Sequence, residues 1–336
     1  MQEIKKTDLD AQFQSSSIAL ISCLSFEERS LAVAEALGTS CVERWLAIVN
    51  EDIETDISVV RSKAELIAKR AGVTIEYITT SKRNPLRLVD ALILLAGEGV
   101  SASPLRWVAD ITTMTHEMLL IIIAAADEIM KSWNDLTLLY NVASQYSGDD
   151  KPEEKWISRG IQEVRSVVGY PGAWSPGERT TLVALPGLDT DRMRLMVEEI
   201  EPDELVVGIA CPADEHHSWT AERSRTIAEQ LLSTRKGATF DYPALDPFGT
   251  IDAVIQALHN VTGNILLAPL NSKVSTAALG ILARHQTMWQ VCYAPAFVYN
   301  LSYSTPSDSF LTCSLDAIKR HVASVVITRD HGPEQQ

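Results

Sequence analysis

A short polar segment, Asp110-Ile111-Thr112-Thr113-Met114-Thr115-His116-Glu117, has the residue types that bind or react with ligands. It joins an apolar run that predicts a strand to the apolar run 119–126, which predicts a buried helix. One hydroxyl is enough to cap a helix, and Thr115 is placed to do so for the helix that contains Met118. Because three threonines exceed that need, the segment is either a structural turn or a binding loop for an oxygen-rich ligand such as a nucleotide.

The same segment contains groups that could perform acid–base chemistry. Asp110, His116 and Glu117 are the candidate acid and base of an enzyme acting on a nucleotide. Cys23 ends another predicted strand and is a candidate nucleophile with His116 as its base. A small cysteine buried in a strand is the commoner role for such a residue, so both interpretations stay open.

Two roles compete for Asp110. As a catalytic base it needs a raised pKa and access to a ligand. As a structural residue it accepts hydrogen bonds from the amide N–H groups of Thr113 or Thr115, and such bonds stabilise the charged form and lower the pKa. We expect the structural role, because the neighbouring threonines can satisfy the carboxylate locally.

A second segment of similar character is Pro269-Leu270-Asn271-Ser272-Lys273-Val274-Ser275-Thr276. Asn271 and Ser272 supply an amide and a hydroxyl at the start of a predicted helix, and Lys273 adds a cation that suits a phosphate group. These three residues are candidate ligand contacts. The alternative is again a structural turn.

Arginines follow the first predicted strand of each half. Residues 23–30 and 186–192 each place acids and one arginine in the first turn of a helix. Acids are favoured at that end of a helix, so their simplest role is capping. The helix dipole disfavours a cation there, which makes Arg29 and Arg192 candidate ligand-binding residues.

Short apolar runs alternate with helical patterns along both halves of the chain, which predicts parallel sheets covered by helices. The two halves can also be aligned: ALISCLSFEERSLAVAEAL (19–37) matches TLVALPGLDTDRMRLMVEEI (181–200), and the segments after the fourth strands match in pattern. The sequence therefore predicts an α/β protein of two tandem Rossmann-like domains with mainly parallel sheets, related by an internal duplication as a pseudo-dimer. The predicted boundaries are a first domain at 1–147, a connector at 148–178 and a second domain at 179–336. In such sheets, ligands bind beyond the carboxyl ends of the strands.

The segment DITTMTHEM resembles the loop after the fourth strand of CARF domains, the CRISPR-associated Rossmann-fold sensors, in which the loop often reads D-[IL]-T-G-G-T-K. The paired glycines of that loop are absent here. SAVED domains, which look like two fused CARF copies, resemble the tandem arrangement. The resemblance implies binding of a cyclic oligonucleotide and a part in antiviral defence. It implies ligand contacts from these residues: Ser25, Thr112, Thr113 and Thr115 in the first half, and Asn271, Ser272 and Lys273 in the second.

The bulk composition restricts the partners. The 336 residues have a net charge of −15, from 29 basic against 44 acidic residues, which disfavours duplex nucleic acid as a partner. No apolar run is long enough to span a membrane, and we expect no secretory signal. Five scattered cysteines suit a reducing cytoplasm. Neither a P-loop nor the histidine pair of a zinc protease is present, so we expect no cofactor and no metal.

These observations predict a ligand-sensing or scaffold subunit that recognises a nucleotide-like anion and passes the signal to a protein partner or to a second copy. One alternative is a nucleotide-processing enzyme, either a hydrolase or a glycosyl transferase. Another is a structural partner subunit in which both sites are degenerate. These three functions can be distinguished by whether the clefts after the first and fourth strands are open or closed, and by which side chains line them.

Overall fold

The computed structural model describes residues 1–14, 16–38, 41–52, 57–97, 105–130, 133, 135–146, 158–212, 218–301 and 304–330. The chain divides into two compact units. Unit 1 comprises Met1–Gly148 and Leu301–Asp316, and unit 2 comprises Asp149–Asn300 and Ala317–Gln336.

The elements alternate between strands and helices through most of the chain. The first part forms β1 (Gln2–Lys5), α1 (Lys6–Phe13), β2 (Ile18–Leu24), a 3₁₀ turn (Glu28–Leu31), α2 (Ala32–Ala36), β3 (Val42–Asn50), α3 (Ser58–Ala71), β4 (Ile75–Thr80), α4 (Leu86–Gly97), β5 (Arg106–Asp110), α5 (His116–Glu128) and β6 (Thr137–Tyr146). The second part forms β7 (Ser158–Ile161), β8 (Arg165–Ser166), β9 (Thr180–Leu185), α6 (Thr190–Ile200), β10 (Glu204–Cys211), α7 (Ser218–Leu232), β11 (Gly237–Pro243), α8 (Pro247–Ala257), β12 (Asn264–Pro269), α9 (Lys273–His285), β13 (Gln290–Tyr293), β14 (Ala296–Tyr299), β15 (Ser304–Ser314) and α10 (Leu315–Asp330).

The sheet of unit 1 has the strand order β1-β15-β6-β5-β2-β3-β4. Strands β6, β5, β2, β3 and β4 are parallel, whereas β15 is antiparallel to both β6 and β1. When the parallel strands are numbered along the chain, their order is 3-2-1-4-5. Every residue of β2 is buried, as the mainly apolar run 17–22 predicts for a strand covered on both faces.

The sheet of unit 2 has the order β11-β10-β9-β12-β13-β8, and β14 pairs with β7 in a separate two-stranded sheet. Strands β11, β10, β9, β12 and β13 are parallel, and β8 is antiparallel to β13. Numbered along the chain, the parallel strands again have the order 3-2-1-4-5. The protein is therefore α/β with mixed, mostly parallel sheets.

Two of the predicted boundaries differ from the structure. Residues 301–316 lie in unit 1, because β15 pairs with β6, although the sequence prediction assigned all of 179–336 to the second domain. The connector predicted at 148–178 contains β7 and β8, although the sequence pattern of 157–168 also allows the prediction of a short helix. That helix prediction is wrong, because pairing with β14 and β13 holds the segment in extended conformation. Within the described ranges, no helix is long and apolar enough to cross a membrane.

Candidate functional site

In unit 1, the loops that follow the first and fourth parallel strands are joined at the carboxyl end of the sheet. Strands β2 and β5 are neighbours, and Thr113 Oγ1 donates a hydrogen bond of 2.7 Å to the carbonyl oxygen of Cys23. Thr115 caps α5 as predicted, since its hydroxyl accepts from the amide of Met118 at 3.1 Å. Residues 110–114 are all buried and Thr115 is half-buried, so this loop offers little surface to a ligand.

Asp110 occupies the carboxyl end of β5 and is 2% exposed. Its Oδ1 accepts from the amide of Thr112 at 3.0 Å, and Thr112 Oγ1 accepts in turn from the amide of Asn141 at 2.9 Å. Burial raises the pKa of Asp110 to about 7, although the hydrogen bonds from Thr112 and the charge of Arg29 act in the opposite direction. The predicted lowering of this pKa is wrong, because the loss of solvation outweighs the local hydrogen bonds.

Arg29 lies at the centre of a buried polar cluster in unit 1. Its Nη2 donates to Glu27 Oε2 at 2.9 Å, its Nε to Ser304 Oγ at 2.9 Å and its Nη1 to the carbonyl oxygen of Asn141 at 3.1 Å. Ser304 Oγ also donates to Glu27 at 3.0 Å, and the guanidinium lies 6.0 Å from the ring centroid of Tyr140. The side chain of Arg29 is therefore occupied by internal acceptors.

The remaining candidates of unit 1 are also buried. Ser25 is 4% exposed, and its carbonyl oxygen accepts from Ser30 Oγ at 3.2 Å. Cys23, His116 and Glu117 are 2%, 7% and 4% exposed. The roles of nucleophile, base and acid at these three residues stay predictions, and burial removes them from a readily reached surface.

In unit 2, the corresponding loops meet through a glycine. Gly187 follows β9 and has a φ of +60°, and a Cβ at this position would lie 2.6 Å from the carbonyl oxygen of Leu270 and 2.8 Å from Asn271 Cα. The amide of Leu270 also donates to the carbonyl oxygen of Leu185 at 3.0 Å. Only a residue without a side chain permits this approach, and sequence reasoning did not single out Gly187.

The loop after β12 is more accessible than its counterpart in unit 1. Asn271, Ser272 and Lys273 are each half-buried. Ser272 caps α9, since its Oγ accepts from the amide of Ser275 at 2.9 Å, and it also donates to the carbonyl oxygen of Ala244. Asn271 lies beside the buried hydroxyl of Tyr242. Ser272 therefore has a structural role, whereas Asn271 and Lys273 are the more accessible polar side chains.

Arg192 forms the counterpart of the Arg29 cluster, and it is 4% exposed. Its Nε donates to the carbonyl oxygen of Ala294 at 2.6 Å, its Nη1 lies 3.7 Å from Asp189 Oδ2, and its Cζ lies 4.8 Å from the ring centroid of Tyr293. Asp189 also accepts from the hydroxyl of Ser158. Arg192 Nη2 is buried and has no hydrogen-bond partner among the residues that the structure describes.

The two clusters share more members than the sequence comparison identified. The ring of Tyr140 faces Arg29, and the ring of Tyr293 faces Arg192. In each cluster, the residue after this tyrosine supplies the carbonyl oxygen that accepts a hydrogen bond from the arginine. Tyr146 and Tyr299 each lie six residues further on. Burial raises the pKa of both, and each is influenced by the tyrosine, arginine and acid of its own cluster. In the sequence, LLYNVASQYS and VCYAPAFVYNLSYS both end on Tyr-Ser, which pairs Tyr146 with Tyr303 instead, and Tyr303 lies outside the described residues. The shared Tyr-x₅-Tyr spacing was the available signal.

Neither a metal site nor a similar protein indicates the function of this chain. Over the described ranges, no group of three or more histidine, cysteine or acidic side chains is arranged to hold a metal ion. By their spacing, Cys211, His216 and His217 could reach one metal ion, although solvated loop histidines are the commoner interpretation. Cys211 is exposed at the end of β10, and both histidines lie outside the described residues. No protein-family model matches the chain, and no curated protein sequence matches it either.

Proposed function

We propose that the protein is a ligand-sensing or scaffold subunit that recognises a nucleotide-like anion through unit 2. In this proposal the two units are diverged copies of one Rossmann-like domain, as the CARF-like and SAVED-like resemblance suggests. The shared strand order 3-2-1-4-5 supports common descent. So does the shared cluster of an arginine, an acid, two tyrosines and a serine at the same end of each sheet.

The observation that carries the proposal is the difference between the two loops after the fourth parallel strand. The threonine-rich loop of unit 1 is buried and hydrogen-bonded internally, whereas Asn271 and Lys273 of unit 2 are half-exposed at the start of α9. A helix N-terminus beside a lysine and an amide is suited to a phosphate group. In this proposal unit 1 has a structural role and its site is degenerate, so the degenerate-site alternative applies to that half of the chain only.

An enzyme is the second candidate, and one observation favours it. The pKa of Asp110 is raised to about 7, the range in which a carboxyl group can both give and take a proton at neutral pH. Asp110 is nevertheless 2% exposed and hydrogen-bonded to its own loop, so a substrate would need to displace that loop. We therefore rank a nucleotide-processing enzyme, acting through Asp110, His116 or Glu117, below sensing.

The proposal also includes the cellular setting. All five cysteines are free, which fits a protein of the cytoplasm. A sensor must transmit its state, so we propose a protein partner or a second copy of this chain as the receiver. The net charge of −15 argues against duplex nucleic acid in that role.

The first test is to identify what the protein binds. Mass spectrometry of small molecules released from the purified protein would reveal a co-purified ligand, and calorimetry with linear and cyclic mono- and oligonucleotides would measure affinity. We expect at least one nucleotide to bind and none to be turned over. If no nucleotide binds or co-purifies, the sensing proposal is wrong. If a nucleotide is turned over, the protein is an enzyme rather than a sensor.

Lys273→Ala sharpens this test. Loss of one charge-assisted hydrogen bond to phosphate should weaken nucleotide binding by roughly 1–3 kcal/mol, which is about 5-fold to 150-fold. Lys236→Ala is the matched control, because Lys236 is an exposed lysine of unit 2 that pairs with Glu204. Equal affinities for the two variants would show that Lys273 is a solvated surface residue.

A further inference from the structure

The environment of Arg192 differs from that of Arg29 in one respect that points to a ligand. Each guanidinium reaches from the segment after the first parallel strand to a carbonyl oxygen at the fifth. In unit 2 these strands are β9 and β13, and β12 pairs with both of them. Because β12 lies between β9 and β13, we infer that the side chain of Arg192 passes over the carboxyl end of β12, where the loop 270–273 begins.

The pairing register shows which residue of unit 2 corresponds to Asp110. Asp110 is opposite Leu139, the residue before Tyr140. In unit 2, Leu267 is opposite Val291, so the next residue, Ala268, is level with Cys292, the residue before Tyr293. The pairing with β9 agrees, since Ala268 is opposite Ala184. The two polar segments compared in the sequence begin at Asp110 and at Pro269, so a comparison by their first residues is displaced by one position.

Unit 2 therefore lacks a carboxyl group that unit 1 has next to its arginine. Arg29 donates three hydrogen bonds to internal acceptors, and Asp110 lies within its electrostatic reach. Arg192 donates one hydrogen bond of 2.6 Å, has an ion pair with Asp189 at the longer distance of 3.7 Å and a further polar interaction with Tyr293, and its Nη2 has no acceptor among the described residues. Buried donors of charged groups are seldom left unsatisfied, because the loss of their hydration is costly.

We propose that the carboxyl end of β12 is an oxyanion seat, in which a phosphate group supplies the acceptor that Arg192 Nη2 lacks. Lys273 and the first turn of α9 form the outer side of the seat, and the half-buried loop at Asn271 is its entrance. In unit 1, the carboxyl group of Asp110 occupies the corresponding position and Arg29 is paired with internal acceptors, so that unit takes no anion. The identification of the anion as the phosphate of a nucleotide rests on the proposed function, whereas the seat itself rests on the geometry.

The experiment uses the full chain with inorganic phosphate as the probe and chloride at equal ionic strength as the control. Titration is followed by ¹⁵N–¹H NMR of backbone amides and of arginine side-chain N–H groups. We expect phosphate to shift the resonances of Arg192 and of residues 270–275, and to leave those of Arg29 and residues 110–115 unchanged. Shifts confined to other residues, or shared equally with chloride, would overturn the proposal.

Two variants test the seat independently. Ala268→Asp introduces into unit 2 the carboxylate that unit 1 already has, and we expect it to weaken phosphate binding at least tenfold. Arg192→Gln should do the same by removing the charge, with Arg194→Gln as the control, since Arg194 is an exposed arginine of the same helix that pairs with Glu198. If Ala268→Asp folds and binds phosphate as the wild type does, the seat is not at β12. If either variant does not fold, the NMR mapping of the wild type decides.

The two proposals fail in different ways. If phosphate binds at Arg192 but no nucleotide binds, the proposed anion site stands and the proposed nucleotide-sensing function is wrong. A nucleotide could instead bind without shifting the resonances of Arg192 or of residues 270–275, and without being affected by Ala268→Asp. In that case the sensing function stands and the proposed anion site at β12 is wrong.

Discussion

The ends of the two parallel sheets differ in how each satisfies its buried arginine. In unit 1, Arg29 donates hydrogen bonds to Glu27, Ser304 and the carbonyl oxygen of Asn141, and the carboxyl group of Asp110 is close enough to interact with it electrostatically. In unit 2, Arg192 has the carbonyl oxygen of Ala294 and a longer ion pair with Asp189, and the position of Asp110 is taken by an alanine.

Two units with the same strand order thus differ in how completely a buried arginine is paired and in how exposed the loop after the fourth parallel strand is. A buried carboxyl group and three internal acceptors complete the polar network of unit 1, so its hydroxyl-rich loop is drawn inward. Unit 2 has Ala268 in place of this carboxyl group, Arg192 Nη2 has no acceptor among the described residues, and the loop 271–273 is half-exposed. A motif rich in hydroxyls, such as 110–117, therefore need not be the binding loop of a molecule that contains two such loops.

The largest effect that we expect separates the two arginines. Arg29→Ala should reduce the stability of unit 1 by roughly 3–5 kcal/mol, because it leaves Glu27 buried without its cation. Arg192→Ala should cost unit 2 less, roughly 1–3 kcal/mol, because the ion pair it breaks is longer and Ser158 still donates to Asp189. Hydrogen exchange of peptides from β2 and from β9 measures each unit separately. Equal losses would mean that the two networks are equivalent.

A second prediction concerns the pH dependence that Asp110 gives to unit 1. The pKa of Asp110 is about 7 in the folded protein, against about 4 in an unfolded chain. Between these values the folded state binds the proton more tightly, so this group's contribution to stability falls as the pH rises from about 4 to about 7 and is constant above.

Asp110→Asn removes that dependence. We expect the variant to gain stability relative to the wild type by roughly 2–4 kcal/mol between pH 4 and pH 7.5, because the neutral amide does not ionise. The difference is measured by urea unfolding of both proteins across the range. A wild-type-minus-variant difference that does not change with pH would show that Asp110 titrates normally, and the comparison with Ala268 would lose its electrostatic basis.

Gly187 provides a third way to sharpen the comparison. Gly187→Ala places a Cβ 2.6 Å from the carbonyl oxygen of Leu270 and also strains a left-handed backbone. Gly177→Ala is the control, because Gly177 has a φ of +86° and nothing lies within 4 Å of its Cβ position. We expect Gly187→Ala to cost roughly 1–3 kcal/mol more than the control in thermal unfolding, and to weaken phosphate binding by separating the two loops. Equal costs would show that the loop contact contributes nothing.

The smallest expected effects are at the helix caps. Thr115→Ala and Ser272→Ala each remove a side-chain acceptor at the start of a helix and should cost about 1 kcal/mol. Ser272→Ala should cost slightly more, since its hydroxyl also donates to Ala244. Thr115→Ser and Ser272→Thr keep the hydroxyl and should preserve stability. A loss of several kcal/mol at Thr115 alone would indicate that it supports the buried loop of unit 1 in another way.

Much of the fold could be predicted from the sequence because its signals are local. The mainly apolar runs predicted at 17–22 and 264–268 fall in strands, because such runs fit a sheet covered on both faces. The cap Thr115 could be recognised from the sequence, since a hydroxyl before a helical run needs only its own helix. Ser272 was predicted as a ligand contact, and its role as a cap came from the structure. The side chains to inspect followed from the rule that ligands bind beyond the carboxyl ends of parallel strands.

The tertiary structure alone decided three matters that depend on distant partners. Strand β15 pairs with β6, some 160 residues away along the chain, and so supplies Ser304 to the Arg29 cluster. The pairing register, and not the alignment, placed Ala268 at the position of Asp110. Burial decided that Arg29 and Asp110 face the interior and that the pKa of Asp110 is raised, because the cost of lost solvation depends on how the whole unit packs around a group and not on its neighbours in sequence.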